Sequence, residues 1–381
     1  HNMRFSVTGT YEHSTGNSWS ESVALFNPES IAFSKSNMFR LNAKLNHRVF
    51  TDTTGKAALK NVMYDINFSY YRANSLSYSA QHQDRIFEYG YIGKFNTTKV
   101  KSYQYNDELE IMVDSVPWRL YNAYEFQGWY DSIVTFQINP NYNVNPILSQ
   151  YTLNFLDNFV YNNAYYDYAG STAVPIDLDV YQQFGALRNG DGADAIYGLY
   201  SSPGVVSNGY SKSQSEQFAA KASLSMNLKN HELKFGFDFE KLTYRGYGLA
   251  PVTLWTLMRN EANSHIGELD KDNPIITDNG EEIYVDYNRL ISSDDQTAFD
   301  RNLRNALGLD PNGDDWIDID SYDPSTYSVD LFSAEELLLG TSSGTSSLVS
   351  YYGYDYTGKT TRKKTTIEDF FDGSGNFNIG A

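Results

Sequence analysis

Between Glu216 and Glu240 the chain writes two alternating strands back to back. Phe218, Ala220, Ala222, Leu224, Met226 and Leu228 fall on one parity, and Gln217, Lys221, Ser223, Ser225 and Asn227 on the other. Asn230 and His231 are read as the turn. Leu233, Phe235, Phe237 and Phe239 then alternate with Lys234, Gly236, Asp238 and Glu240. A strand has a side-chain period of two, so this segment predicts one continuous apolar face and one hydrophilic, largely charged face. Each arm runs about a dozen residues, longer than the usual soluble strand and enough to cross a bilayer at a tilt. The setting of the apolar face, a protein core or lipid, is left to the rest of the chain.

Three more segments repeat the pattern. Met3, Phe5, Val7, Gly9 and Tyr11 alternate with Arg4, Ser6, Thr8 and Thr10. Phe39, Leu41, Ala43 and Leu45 alternate with Arg40, Asn42, Lys44 and Asn46. Val62, Tyr64, Ile66, Phe68 and Tyr70 alternate with Asp65, Asn67 and Ser69, with Tyr64, Phe68, Tyr70 and Tyr71 as candidates for an interfacial aromatic girdle. The connections alternate in length: about 25 residues, about a dozen centred on Thr53-Thr54-Gly55, roughly 140, a two-residue turn, then about 130. Long and short loops sorted by parity are the rhythm of an outer-membrane barrel, and a soluble sandwich has no reason to adopt it.

This divides the chain into residues 1–72 (three strands), 73–215 (a large insertion), 216–246 (the hairpin) and 247–381 (an acidic loop region). Within the insertion, 86–92 and 132–138 read as β-like pieces of a folded loop, with an even number of hidden spanning strands as the alternative. In the acidic region, short helices are expected at Leu254–Glu261, after Asp294 or Asp295 with Phe299, Leu303 and Leu307 inward, and after a Ser333/Glu336 capping box. Gly340–Ser347 reads as a flexible surface segment.

Composition narrows the function. Thirty-two Tyr, 22 Phe and 27 Gly favour an all-β protein. A net charge of −18 argues against nucleic acid, whose phosphates it would repel. Cys is absent, which removes disulfides, thiolate metal sites and Cys nucleophiles. No G-x-S-x-G, H-E-x-x-H or P-loop occurs, so no enzymatic activity is expected. His1-Asn2-Met3-Arg4 offers no signal-peptide core, and the chain reads as a mature piece or internal fragment.

The segment Leu228-Lys229-Asn230-His231-Glu232-Leu233-Lys234-Phe235-Gly236 resembles the periplasmic hairpin of TonB-dependent receptors, and Phe39–Leu45 resembles another of their barrel strands. Residues 316–324 (WIDIDSYDP) and 375–381 (GNFNIGA) are similar to extracellular loops of the Oar-like receptors of Bacteroidetes, which carry a carboxypeptidase-regulatory-like domain. The resemblance implies part of an antiparallel transmembrane β-barrel of about 22 strands. It also implies location in the bacterial outer membrane, contact with outer-membrane lipid, surface ligand capture, and import driven by TonB–ExbB–ExbD. A surface lipoprotein or other envelope protein on the loops is a further partner. Five strands do not close such a cylinder, and neither plug nor TonB box is recognisable. The lipid-facing row is Phe218, Ala220, Leu224, Met226, Leu233, Phe235, Phe237 and Phe239. The rival readings are a soluble secreted β-sandwich that binds glycan and a structural envelope component without transport.

Two site expectations remain. Trp118, Trp129, Tyr161, Tyr165, Tyr166 and Tyr168 supply rings for stacking on a sugar or peptide, or for packing inside a large loop. Glu261–Asp320 holds sixteen Asp or Glu against four Lys or Arg. Within it Asp310, Asn312, Asp314, Asp318 and Asp320 offer alternating oxygens to Ca²⁺, although Asp315 stands where an EF-hand loop needs Gly and no Glu closes it. The other reading is a solvated acidic loop whose Asx side chains hold turns. Asn189–Asp194 reads as a turn. No other cofactor is expected.

Overall fold

In the computed structural model the chain is mostly strand, 46 % of it, and the sheets are antiparallel except where one short strand joins in parallel. The all-β class follows. Residues 3–50, 58–162, 178–339 and 347–361 are described; Thr53–Gly55, Tyr165, Tyr166, Tyr168, 340–346 and 375–381 lie outside them.

The long sheet holds β1 (Met3–Asn17), β2 (Phe33–Phe50), β3 (Leu59–Tyr78), β6 (Tyr210–Leu228), β7 (His231–Leu249) and the short β10 (Val349–Tyr352), in the order β1-β2-β3-β6-β7-β10. The first five are the predicted amphipathic strands in sequence order, and they form no closed cylinder among the described residues. Each outruns its alternating core. Ser34–Asn37 pairs with Asn74–Ser77, which in turn pairs with Ser211–Gln214. These polar ends have no amphipathic pattern to read; cross-strand hydrogen bonding carries them. The β1–β2 connection is therefore 18–32, shorter than expected, with the small helix α1 (Glu21–Ala24) in it.

The tight turn is shifted by one residue from the expected Asn230-His231. Leu228 faces His231, so Lys229 and Asn230 form the turn and His231 opens β7. Lys229 takes a φ of 52°, the sign that two-residue hairpins demand, and its N–H donates to Ala58 O at 2.8 Å.

The insertion contains a hairpin of greater length than any predicted piece: β4 (Lys94–Val113) and β5 (Val116–Gln137). They form a second sheet, extended by β9 (Ile283–Asp286) and β8 (Ile275–Asp278). Asp114 and Ser115 both have positive φ, 49° and 65°, as a type I′ turn requires. The alternation was hidden because register shifts at Asn96/Thr97 and Ser102/Tyr103, with Asn122 and Gly128 at positive φ, reverse the inward parity along the arms.

The helices α2 (Pro146–Asn162), α3 (Leu178–Gln183), α4 (Leu254–Glu261), α5 (Ala298–Leu307) and α6 (Ala334–Leu339) all lie in the long connections. The α4 bounds match expectation. The start of α5 is capped by Thr297, whose Oγ1 accepts from Asp300 N, rather than by Asp294 or Asp295, while Phe299 and Leu303 are buried as foreseen. The capping box is present in both directions: Glu336 Oε2 accepts from Ser333 N at 2.6 Å, and Ser333 Oγ accepts from Glu336 N at 3.2 Å.

Three long connections meet and bond to one another. Asn27 Nδ2 donates to Ser201 Oγ and Val205 O, Val252 N donates to Asn208 Oδ1, and Trp255 Nε1 donates to Phe87 O. The second and third connections share a core around Trp255, Leu257, Met258, Phe299 and Leu303 that includes Tyr247 and Leu249 at the end of β7. We call this assembly the cap and the sheet of five long strands the wall.

Candidate functional site

The wall places its apolar residues in rows. Phe5, Leu45, Ile66, Ala222 and Phe237 are successive cross-strand neighbours; so are Val7, Ala43, Phe68, Ala220 and Phe239. All eight residues expected to face lipid share this face through their registers. From Phe218 to Met226 the row covers about 27 Å along the strand, at ~3.4 Å per residue. Phe235 is 58 % exposed and Phe237 62 % exposed, so among the described residues the face is uncovered. Tyr64, Phe68 and Tyr70 lie on it, but Tyr71 does not: it lies on the polar face with the Arg40 guanidinium 5.4 Å from its ring centre. That face also carries Lys44 and Asn67 beside Lys221, whose Nζ meets Asp238 at 2.9 Å.

The cap is built the opposite way. Trp255 is fully buried, with Tyr91 at 5.6 Å and Tyr327 at 5.5 Å between ring centres. Gly90 and Gly190 flank it so closely that a Cβ on either would meet a Trp255 atom at 2.5 or 2.6 Å. Asn189, expected to be a simple turn residue, is a buried hub. Its Oδ1 accepts from Ile92 N and Gly93 N, and its Nδ2 donates to Gly93 O and Asp320 Oδ1. Arg259 completes the group, with Nη1 3.1 Å from Asp320 Oδ1.

Three of the acidic residues expected as calcium ligands, Asp310, Asp318 and Asp320, have other partners. Asp310 Oδ1 accepts from Asn312 N and its carbonyl from Gly313 N, which makes an Asx-type turn. Asp320 is held by Asn189 and Arg259. Asp318 Oδ2 accepts from Thr97 Oγ1 at 3.0 Å, and Oδ1 accepts from Asp320 N. Burial, with Asp320 nearby, pushes the Asp318 carboxyl up to about 6. Among the described residues no three His, Cys, Asp or Glu side chains are grouped to hold a metal ion. A second carboxyl, Glu261, is pushed up to about 7 by burial and then by Glu336.

Of the expected aromatic ligand residues, Trp118 and Trp129 are described, and they stand far apart. Trp118 is half exposed near the tip of the β4–β5 hairpin, while Trp129 lies eleven positions on, about 37 Å along an extended strand. Trp129 packs edge-on against Phe126 at 4.6 Å. Arg289 stacks between two rings, 4.4 Å from Trp129 and 4.5 Å from Trp316, with Lys99 4.1 Å from Trp316 on its own account. This clamp ties the second sheet to the acidic segment and uses Trp129 for packing, the second of the two roles considered for it. Tyr161 belongs to the last turn of α2, and its side chain lies outside the described set. Nothing in the sequence spacing of 129, 289 and 316 announces the clamp.

A cleft opens in the cap between residues 84–88, Tyr142, residues 324–330 and residues 357–359, with a volume of about 510 Å³. No protein-family model, curated protein or solved structure matches this chain.

Proposed function

We propose that the chain supplies a stretch of barrel wall and the surface cap of an outer-membrane receptor of the TonB-dependent, Oar-like kind. The cap captures a ligand at the cell surface, and import through the completed, plugged barrel is driven by TonB–ExbB–ExbD. The observation that carries this reading is the uncovered apolar face of the wall. Monomeric soluble proteins rarely leave more than a few hundred Å² of contiguous apolar surface in water. Here several rows of Phe, Leu, Ile and Tyr span about the 25 Å of a barrel's lipid-facing band. The opposite face carries Arg, Lys, Asp and Asn, as a water-filled or plugged lumen permits.

The sorting of connections gives independent support. Residues 18–32, 79–209 and 250–348 join in the cap, whereas Lys229-Asn230 closes its hairpin in two residues. A soluble sandwich needs a second sheet over the apolar face. The other sheet instead keeps its own core of Leu109, Ile111, Ala123, Phe126, Val285 and Tyr287, in which no wall residue takes part.

Because the chain has no Cys, single labels are readily placed. A fluorophore on Phe237→Cys is expected to be quenched by lipids brominated on their acyl chains, and one on Lys221→Cys to be spared. Equal quenching at both, or recovery of the full chain in the aqueous phase on detergent partitioning, rules the reading out.

A further inference from the structure

The cleft in the cap has a floor and two ionic edges. Its floor is Phe87 and Tyr327, with ring centres 5.8 Å apart. Both are fixed from behind: Trp255 Nε1 donates to Phe87 O, and Tyr327 Oη donates to Ile319 O at 2.6 Å. One edge is Arg85, whose Nε lies 2.7 Å from Glu88 Oε2; the other is Lys359, whose Nζ lies 2.8 Å from Asp330 Oδ1. The volume, about 510 Å³, falls in the range of small-molecule pockets, about 300–1,000 Å³.

The two ion pairs differ from the pair that stabilises the cap. Arg259–Asp320 is buried, whereas Lys359 and Asp330 are 68 % and 58 % exposed; the Arg85–Glu88 pair is intermediate, with Arg85 half exposed and Glu88 largely buried. Exposed pairs contribute little to folding, so opening Lys359–Asp330 costs little. A ligand carrying both signs spans the two edges: its carboxylate displaces Asp330 from Lys359, and its ammonium meets an acid at the Arg85 edge. Asp84, on the same lining, adds a second acidic group. Between the charges the ligand meets apolar surface from Phe87, Tyr142 and Val329.

We propose that this cleft binds a short peptide with free amino and carboxyl termini, the apolar middle over Phe87 and Tyr327, the carboxylate at Lys359 on one edge and the ammonium at the acidic groups of the Arg85 edge. A neutral sugar would leave the charged groups of both edges unused. The proposal deepens the surface-capture reading and depends on it only for where the peptide comes from.

The test is calorimetric titration of the full chain in detergent micelles with the tripeptide Gly-Phe-Gly, its N-acetylated and C-amidated form, and maltotriose. The free tripeptide is expected to bind, and capping both ends to weaken it at least about tenfold, since each charge-assisted contact contributes about that factor. Lys359→Ala, which removes a side chain held only at the surface, is expected to weaken binding about tenfold. Arg119→Ala, on the exposed Glu108 pair far out on β5, should leave it unchanged. Equal binding of the capped peptide, preference for maltotriose, or no binding by a chain with intact near-UV circular dichroism overturns the proposal. Detergent partitioning of the same sample reports the membrane reading separately, so the two can fail independently.

Discussion

The wall and the cap are made from one composition by opposite rules. In the wall, Phe235 and Phe237 project from a sheet that no second layer covers among the described residues, and order comes from backbone pairing in register along five strands. In the cap, short helices that would be marginal alone are held by a sealed core, with Trp255, Leu254, Leu257 and Met258 all at 0 % exposure. A region that leaves its large apolar residues outside needs an apolar environment. A region that hides them carries its own. The difference separates the part that meets lipid in our reading from the part that meets ligand.

The strongest way to break this comparison is to remove the cap's centre. Trp255→Ala should cost about 3–5 kcal/mol of cap stability. It would appear as an early loss of near-UV circular dichroism, while the far-UV strand signal of the wall persists. Simultaneous loss of both signals would mean that wall and cap are one cooperative unit. Next in size is Phe237→Arg. In lipid vesicles the reading as a lipid-facing residue predicts a loss of about 2–4 kcal/mol. In water an Arg at a position 62 % exposed should be nearly neutral, and a neutral result in vesicles would remove Phe237 from the lipid face.

The pH response sharpens the contrast from the cap's side. Asp318 and Glu261 have folded-state pKa values raised to about 6 and about 7, mainly because burial disfavours their charged forms. Both therefore bind protons more readily folded than unfolded. Their contribution favours the fold at low pH and is lost as pH rises, through about 4 to 6 for Asp318 and about 4.5 to 7 for Glu261. Lowering pH from 7 to 5 should stabilise the cap by on the order of 1–2 kcal/mol, because a tenfold difference in proton affinity between folded and unfolded chain corresponds to about 1.4 kcal/mol. Asp318→Asn should flatten that dependence when melting is followed against pH. A dependence unchanged by Asp318→Asn would mean that this carboxyl stays charged in the fold. The smallest effect is Ser333→Ala, which removes one half of the capping box and should cost about 1 kcal/mol in the same melting assay.

Which features were legible in the sequence follows the same division. The wall's five strands and the Ser333–Glu336 box rest on local patterns, period two and a three-residue spacing, so each could be read one segment at a time. The β4–β5 hairpin carries as much strand as the wall hairpin, yet its bulges reverse parity often enough to erase the pattern. Asp114-Ser115 between Val113 and Val116 was the surviving signal. The one-residue error at Asn230-His231 has a similar cause, since Lys229 in left-handed backbone is set by strand twist rather than by residue preference. The site expectations fared according to range. Asp318, Asp320 and Trp129 were recognised as special residues, but their partners Thr97, Asn189, Arg259 and Arg289 come from distant segments.

The sequence by itself determined that residues 3–11, 39–46, 62–70, 216–228 and 233–240 are strands with two unlike faces, because alternation is written within each segment. Only the tertiary structure decided that the acidic region is tied down by Arg259, Arg304 and Arg289, with Asp300 and Arg304 fully buried as a pair 2.9 Å apart. It also decided that segments 84–88, 324–330 and 357–359 enclose a cleft. Periodicity reports which way a side chain points along its own strand. Which distant group meets it depends on how the long connections pack, and no local spacing carries that information.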